Sequence, residues 1–199
     1  WHVAIWVGSL CVLTGCQPPS ARQQAIANYS IDQSHYAKFV DEDPQSLNTE
    51  QLYSRALTLW GDDYTELRVQ TSFGVAHVVV SGPADGYPLV LLHGMNTNST
   101  MWYPNAPSLA RSYQVFAIDY LLGNGKSKPG KTVDDVAQVM AWYNEIFNTL
   151  ALEQFALVGA FPKEAGVVAD AIEHGGISDH SEVQTQHGVQ QAAVGEQGL

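Results

Sequence analysis

"LVLLHGMNTNSTMWYPN", Leu89 to Asn105, decides how this chain folds. It opens on four aliphatic residues and breaks sharply at His93-Gly94. A short apolar run without polar alternation is the pattern of a parallel strand buried on both faces. We read that strand as Pro88 to Leu92. In open α/β sheets, ligands bind beyond the carboxyl ends of such strands. Gly94 lets backbone approach a ligand closely. The N–H that follows, on Met95, can then point at developing negative charge. Taken alone, His93-Gly94 also fits a structural histidine at a strand end.

Working outward, the chain repeats this layout. Gln114 to Ile118 is a second apolar strand, ending at Asp119. Phe155 to Val158 is a third. Between them, Thr132 is placed to cap a long helix with Val133, Val136, Met140, Tyr143, Phe147 and Leu150 on one side. Met101 to Tyr113 reads as helical in its second half. Upstream, Asn48-Thr49-Glu50 opens a helix carrying Leu52, Tyr53, Ala56, Leu57 and Trp60, and Gly61 stops it. Two further strands, Tyr64 to Thr71 and Phe73 to Val80, precede a turn at Ser81 to Gly86. Alternating strands and helices imply right-handed crossovers and a mostly parallel sheet with helices on both faces.

Leu121 to Lys131 is a Gly/Lys loop. Its Gly125-Lys126-Ser127 invites a phosphate-binding reading, but the first glycine of the G-x-x-x-x-G-K-S pattern would fall on Tyr120. Lys128-Pro129-Gly130 also separates it from any helix N-terminus that could cradle phosphate.

Together these residues resemble the α/β-hydrolase family, from about Leu59 to Ala160. Three features carry the resemblance in order: the His93-Gly94 loop, the Asp119…Gly123-x-Gly125-x-Ser127 loop, and Val158-Gly159-Ala160. The resemblance implies ester-type hydrolysis of a small molecule without a cofactor or metal. It also implies that Met95 N–H is an oxyanion donor, with His93 and Gly94 shaping its loop. The family needs G-x-S-x-G at the next strand. Here Gly159-Ala160 is followed by Phe161, Pro162 and Lys163. Phenylalanine has no nucleophilic atom, and proline has no N–H to give an oxyanion hole.

The later acid and histidine of a triad are not identifiable. Ser178-Asp179-His180 holds the three residue types, but consecutive side chains diverge. His174, Asp179, His180, Glu182 and His187 match no strong zinc spacing. All twenty aromatics lie at or before Phe161, and the remainder is rich in Gly, Gln, Ala and Val. That composition predicts a disordered tail over 161–199. Gly166 to Ala169 is its one strand candidate. The expectation is a hydrolase sheet truncated at the nucleophile elbow, inactive as it stands, with Phe155 to Val158 at an exposed edge. A frameshift offers one cause. The codons TTT CCN AAG GAG GCT GGN, read two bases on, give Ser-x-Gly-Gly-Trp, which restores the motif after Ala160.

The N-terminal run Val3 to Leu13 has the length of a signal-peptide core. Leu13-Thr14-Gly15-Cys16 resembles a bacterial lipobox, which implies lipidation of Cys16 and a membrane-anchored envelope location. The expected division is a signal peptide over 1–15, a tether over 16–47, a partial hydrolase-type domain over 48–160 and an unrelated tail. A net charge of −11 argues against nucleic acid as a partner. A second expectation is a non-enzymatic envelope lipoprotein that reuses the fold as a binding module.

Overall fold

The computed structural model describes residues 18–31, 43–61, 63–160 and 183–185. Cys11, Cys16, Phe161, Pro162, Lys163 and the His174 to His187 group lie outside the described residues.

The sheet starts as a hairpin. β1 (Tyr64–Thr71) pairs antiparallel with β2 (Gly74–Ser81) through the tight turn at Ser72-Phe73. β3 (Tyr87–Leu92) and β4 (Tyr113–Ile118) run parallel to each other, and β4 pairs antiparallel with β2. The Gly/Lys loop contributes β5 (Lys128–Pro129), two residues against the start of β2. β6 (Ala156–Gly159) lies parallel on the other side of β3. The order is therefore β1-β2-β4-β3-β6, extended by β7 (Val183–Thr185), which pairs parallel to β6. This corrects the expectation that β6 is the sheet edge and that nothing after Phe161 but Gly166 to Ala169 could form a strand. Val183-Gln184-Thr185 sits in a polar surround, so hydrophobic patterning does not single it out.

Side-chain alternation builds two cores, because successive residues of a strand face opposite sides. Val90, Leu92, Phe116 and Ile118 face α1 (Ala21–Tyr29) and α4 (Val136–Thr149). Leu89, Leu91, Val115 and Ala117 face α2 (Thr49–Leu57) and α3 (Ala106–Leu109). Helices on both faces and parallel central strands are as the sequence implies.

Local departures have local reasons. α4 begins at Val136, not Thr132: the Asp135 side chain accepts from Gln138 N–H and caps it. Val136 consequently falls on the solvent side, 58% exposed, while Val133 is buried ahead of the helix. Leu52 of α2 is likewise exposed, whereas Asn48 caps that helix and Gly61 ends the turn after it at φ 93°. α3 is only four residues, preceded by a 3₁₀ turn at Ser99–Trp102. The segment expected to be a tether is partly docked. α1 buries Ala25, and Arg22 donates to the Ala84 and Gly86 carbonyls.

Candidate active site

The loops beyond β3 and β4 lie side by side, because the strands pair in parallel from Tyr87↔Tyr113 to Leu92↔Ile118. On the other flank of β3, Ala160 N–H donates to the Leu92 carbonyl, so the chain leaves β6 beside the His93 loop. Parallel pairing thus gathers the ends of β4, β3 and β6 at one edge of the sheet.

His93 is 6% exposed and both of its ring nitrogens are engaged. Nδ1 donates to the Gly94 carbonyl at 2.9 Å, and Nε2 accepts from Tyr120 N–H at 2.9 Å. That pairing fixes one neutral tautomer and leaves no nitrogen for proton transfer. His93 therefore ties the β3 exit to the β4 exit and shapes the loop. Thr97 donates to the same Gly94 carbonyl, and Gly94 N–H points at the Met101 sulfur. Met95 is 66% exposed. Its N–H has no hydrogen-bond partner among the described residues. Asn96 then takes φ 59°, a left-handed turn that asparagine tolerates.

The Asp119 loop is the opposite kind of structure. Asp119 is fully buried. Its carboxylate accepts from Ser99 N–H (2.8 Å), Lys126 N–H (2.7 Å) and His77 Nδ1 (3.0 Å). The other ring nitrogen of His77 donates to Glu66 at 2.6 Å, and Lys126 Nζ reaches both Glu66 (2.8 Å) and Ser54 (2.9 Å). Two carboxylates thus enclose an imidazolium and an ammonium between the sheet and α2. Burial alone would lower the His77 pKa, but its bonds to Asp119 and Glu66 outweigh that and raise it. Burial would raise Glu66 and Asp119, yet hydrogen bonds and charge from His77 hold both below the usual carboxylate range.

This network explains the glycine spacing of the loop. A Cβ on Gly125 would sit 2.2 Å from the Asp119 carboxyl carbon, and one on Gly123 would crowd the His93 ring at 3.2 Å. Ser127 closes the loop by donating to the Asp119 carbonyl and accepting from His77 N–H. The Lys126 ammonium is turned inward to Glu66, not outward as a phosphate lysine would be. Sequence reading found Asp119 and Ser127 but missed Glu66 and His77. For His77 the available signal was a polar residue flanked on its own face by Val75 and Val79; Glu66, flanked on its face by Tyr64 and the exposed Arg68, carried none.

The comparisons with known proteins bear on the fold that carries these loops. A family model described as alpha/beta hydrolase fold matches residues 87–160. The chain has the α/β-hydrolase fold. An uncharacterized carboxylesterase, nap, of Bacillus subtilis (strain 168) is 36% identical over 109 residues, covering 55% of this chain and 36% of that protein. Carboxylesterase YbfK of the same strain is 35% identical over 109 residues, covering 55% and 37%. The solved structure of naproxen esterase from Bacillus subtilis superposes with a TM-score of 0.61 at 28% identity, covering 73% of this chain and 50% of that one. The chain spans little more than a third of the length of the two curated carboxylesterases it matches.

Proposed function

We propose that residues 48–160 are the framework of a carboxylester hydrolase acting on small-molecule esters, and that this chain does not run Ser-His-Asp catalysis. The observation that carries the reading is the Met95 N–H. It is unpartnered among the described residues, follows a glycine at the end of β3, and stands one strand from the exit of β6. An N–H held this way by the His93–Tyr120 and Thr97–Gly94 bonds is prepared for an oxyanion before one forms. A preorganised donor of that kind is worth about 3–4 kcal/mol of barrier. The two carboxylesterases at 36% and 35% identity support an ester as the substrate class.

Position 161 is where the attacking oxygen belongs, one residue beyond Gly159-Ala160. Phe161 supplies no oxygen, and Pro162 supplies no second N–H. No acyl-enzyme can form at that position. Purified chain is expected to hydrolyse p-nitrophenyl butyrate no faster than its Met95→Pro variant. Turnover well above that variant would overturn the inactive reading. A frameshift accounts for the missing serine. The DNA after codon 160 decides it: no frame encoding a serine elbow followed by further strands would end the idea.

A second reading rests on Leu13-Thr14-Gly15-Cys16, which supports a lipid-anchored envelope protein, whether hydrolytic or a binding module. Radiolabelled palmitate should enter the chain expressed in bacteria and be lost in Cys16→Ser. Equal labelling of the variant would remove the anchor.

A further inference from the structure

The docking of α1 limits where Cys16 can lie. Ser20 caps the helix: its hydroxyl accepts from Gln23 N–H, and the Gln23 side chain accepts from Ser20 N–H. Two residues on, Arg22 donates to the Ala84 and Gly86 carbonyls of the β2–β3 turn. Ala25, Ile26 and Tyr29 pack into the core beneath. The first turn of α1 is therefore held at the end of the sheet where β3 and β4 begin, opposite His93. Cys16 stands four residues before Ser20. An extended chain reaches at most about 3.5 Å per residue, so Cys16 lies within roughly 14 Å of Ser20 whatever path the backbone takes.

That end of the sheet has the surface chemistry of a membrane–water boundary. Tyr87 and Tyr113 face each other across β3 and β4 and are 46% and 38% exposed. A tyrosine joins an apolar ring to a polar tip, which suits a layer that is greasy on one side and wet on the other. A Cβ on Gly82 would meet the Tyr113 carbonyl, so the β2–β3 turn lies against the start of β4. Pro19, Pro83, Ala84 and Arg111 line one hollow beside them, and all four are exposed. Arg22 and Arg111 are matched by Asp63 and Asp85, so attraction to lipid charge is not what would hold this surface down.

We propose that, with lipid on Cys16, this end of the sheet rests on the headgroup layer and the Met95 edge faces away from the bilayer. The inference rests on the lipid-anchor reading of Leu13-Thr14-Gly15-Cys16 and adds to it a contact surface and an orientation. β3 is six residues long, so the Met95 edge stands about 20 Å farther from the bilayer than Tyr87. An ester reaching the Met95 N–H must then arrive from water. The ester bonds of the anchoring bilayer lie out of its reach.

The test uses the full chain made in bacteria, as the parent and as the single variants Ala84→Cys, Ser112→Cys and Leu122→Cys. All three positions are exposed, and Leu122 follows the carboxyl end of β4. Each protein is labelled with a thiol-reactive fluorophore and placed in phosphatidylethanolamine–phosphatidylglycerol vesicles that carry a nitroxide-headgroup lipid. A cleaved, lipidated chain has no free thiol, so the parent should take up no label. A parent that labels and carries no palmitate overturns the anchor, and the orientation with it. With the anchor present, quenching should be severalfold stronger at positions 84 and 112 than at 122. Equal quenching, or stronger quenching at 122, overturns the orientation while the anchor stands. An insert of about 15 Gly/Ser residues between Gln17 and Pro18 spans roughly 22 Å as a flexible coil. It should keep the palmitate and bring the three positions to similar quenching; an unchanged ranking would also overturn the proposal, because the short span would not be what orients the domain. None of these readouts involves ester hydrolysis.

Discussion

At the end of β4 each polar atom of Asp119 has a partner. At the end of the neighbouring β3, two residues past Leu92-His93, the Met95 N–H has none among the described residues. The two exits are adjacent and share the His93–Tyr120 bond, yet they spend their hydrogen-bonding groups in opposite ways. The closed network holds backbone in place. The open donor is held in place by it. A motif in which everything is satisfied marks structure, and the open N–H beside it is the group that the proposed function assigns to an oxyanion.

Asp119→Ala tests the closed side most severely. It strips His77 of one carboxylate and leaves two backbone N–H groups, on Ser99 and Lys126, without their acceptor. Breaking a buried charge pair on one side costs about 3–5 kcal/mol. Urea denaturation should register that loss, and a cost under about 1 kcal/mol would show that the network does not hold the fold. Gly125→Ala should follow. Its new Cβ would fall 2.2 Å from the Asp119 carboxyl carbon, so the loop must move. Overpacking of that kind costs about 1–3 kcal/mol, read by the same denaturation.

Protonation perturbs the same network without a substitution. His77 is raised above its ordinary 6.5, so its contribution to stability is complete below pH 6.5 and is lost as pH climbs through the raised value. Glu66 and Asp119 are lowered from 4.5 and 3.8, so theirs is complete above pH 4.5 and is lost as pH falls through the depressed values. The thermal midpoint should therefore be highest between about pH 4.5 and 6.5 and decline on both sides. His77→Gln should flatten the alkaline decline. An alkaline limb of unchanged slope in that variant would assign it to other groups.

The closed side also marks how far the sequence could be read. The strands with continuous apolar runs, β3, β4 and β6, were legible because burial on both faces leaves a one-dimensional signature. The helix ends were less so: Asp135, not Thr132, caps α4, since the choice depends on which residue the first turn can reach. β7 was missed because pairing with β6 uses backbone atoms that any sequence carries. At the site, the glycines and Asp119 announced a tight loop, and the His93-Gly94 break announced an open strand end. Glu66 and His77 stayed hidden because a charge in a strand reads as solvent-facing until its partner across the sheet, here Asp119 and Lys126, is known to be within reach.

The open side should behave in the reverse manner. The Met95 side chain is exposed and its N–H bonds to nothing described, so Met95→Ala should shift stability by no more than about 0.5 kcal/mol. The comparison is sharpest when this variant is measured beside Asp119→Ala in one denaturation series. Two positions on adjacent strand ends, both within the motif set that defines the fold, should differ by several-fold in cost. If Met95→Ala proved as damaging as Asp119→Ala, the β3 exit would be a structural element like its neighbour. The Met95 N–H would then be a poor choice for an oxyanion donor, because a donor of that kind must be held by its surroundings while contributing little to holding them.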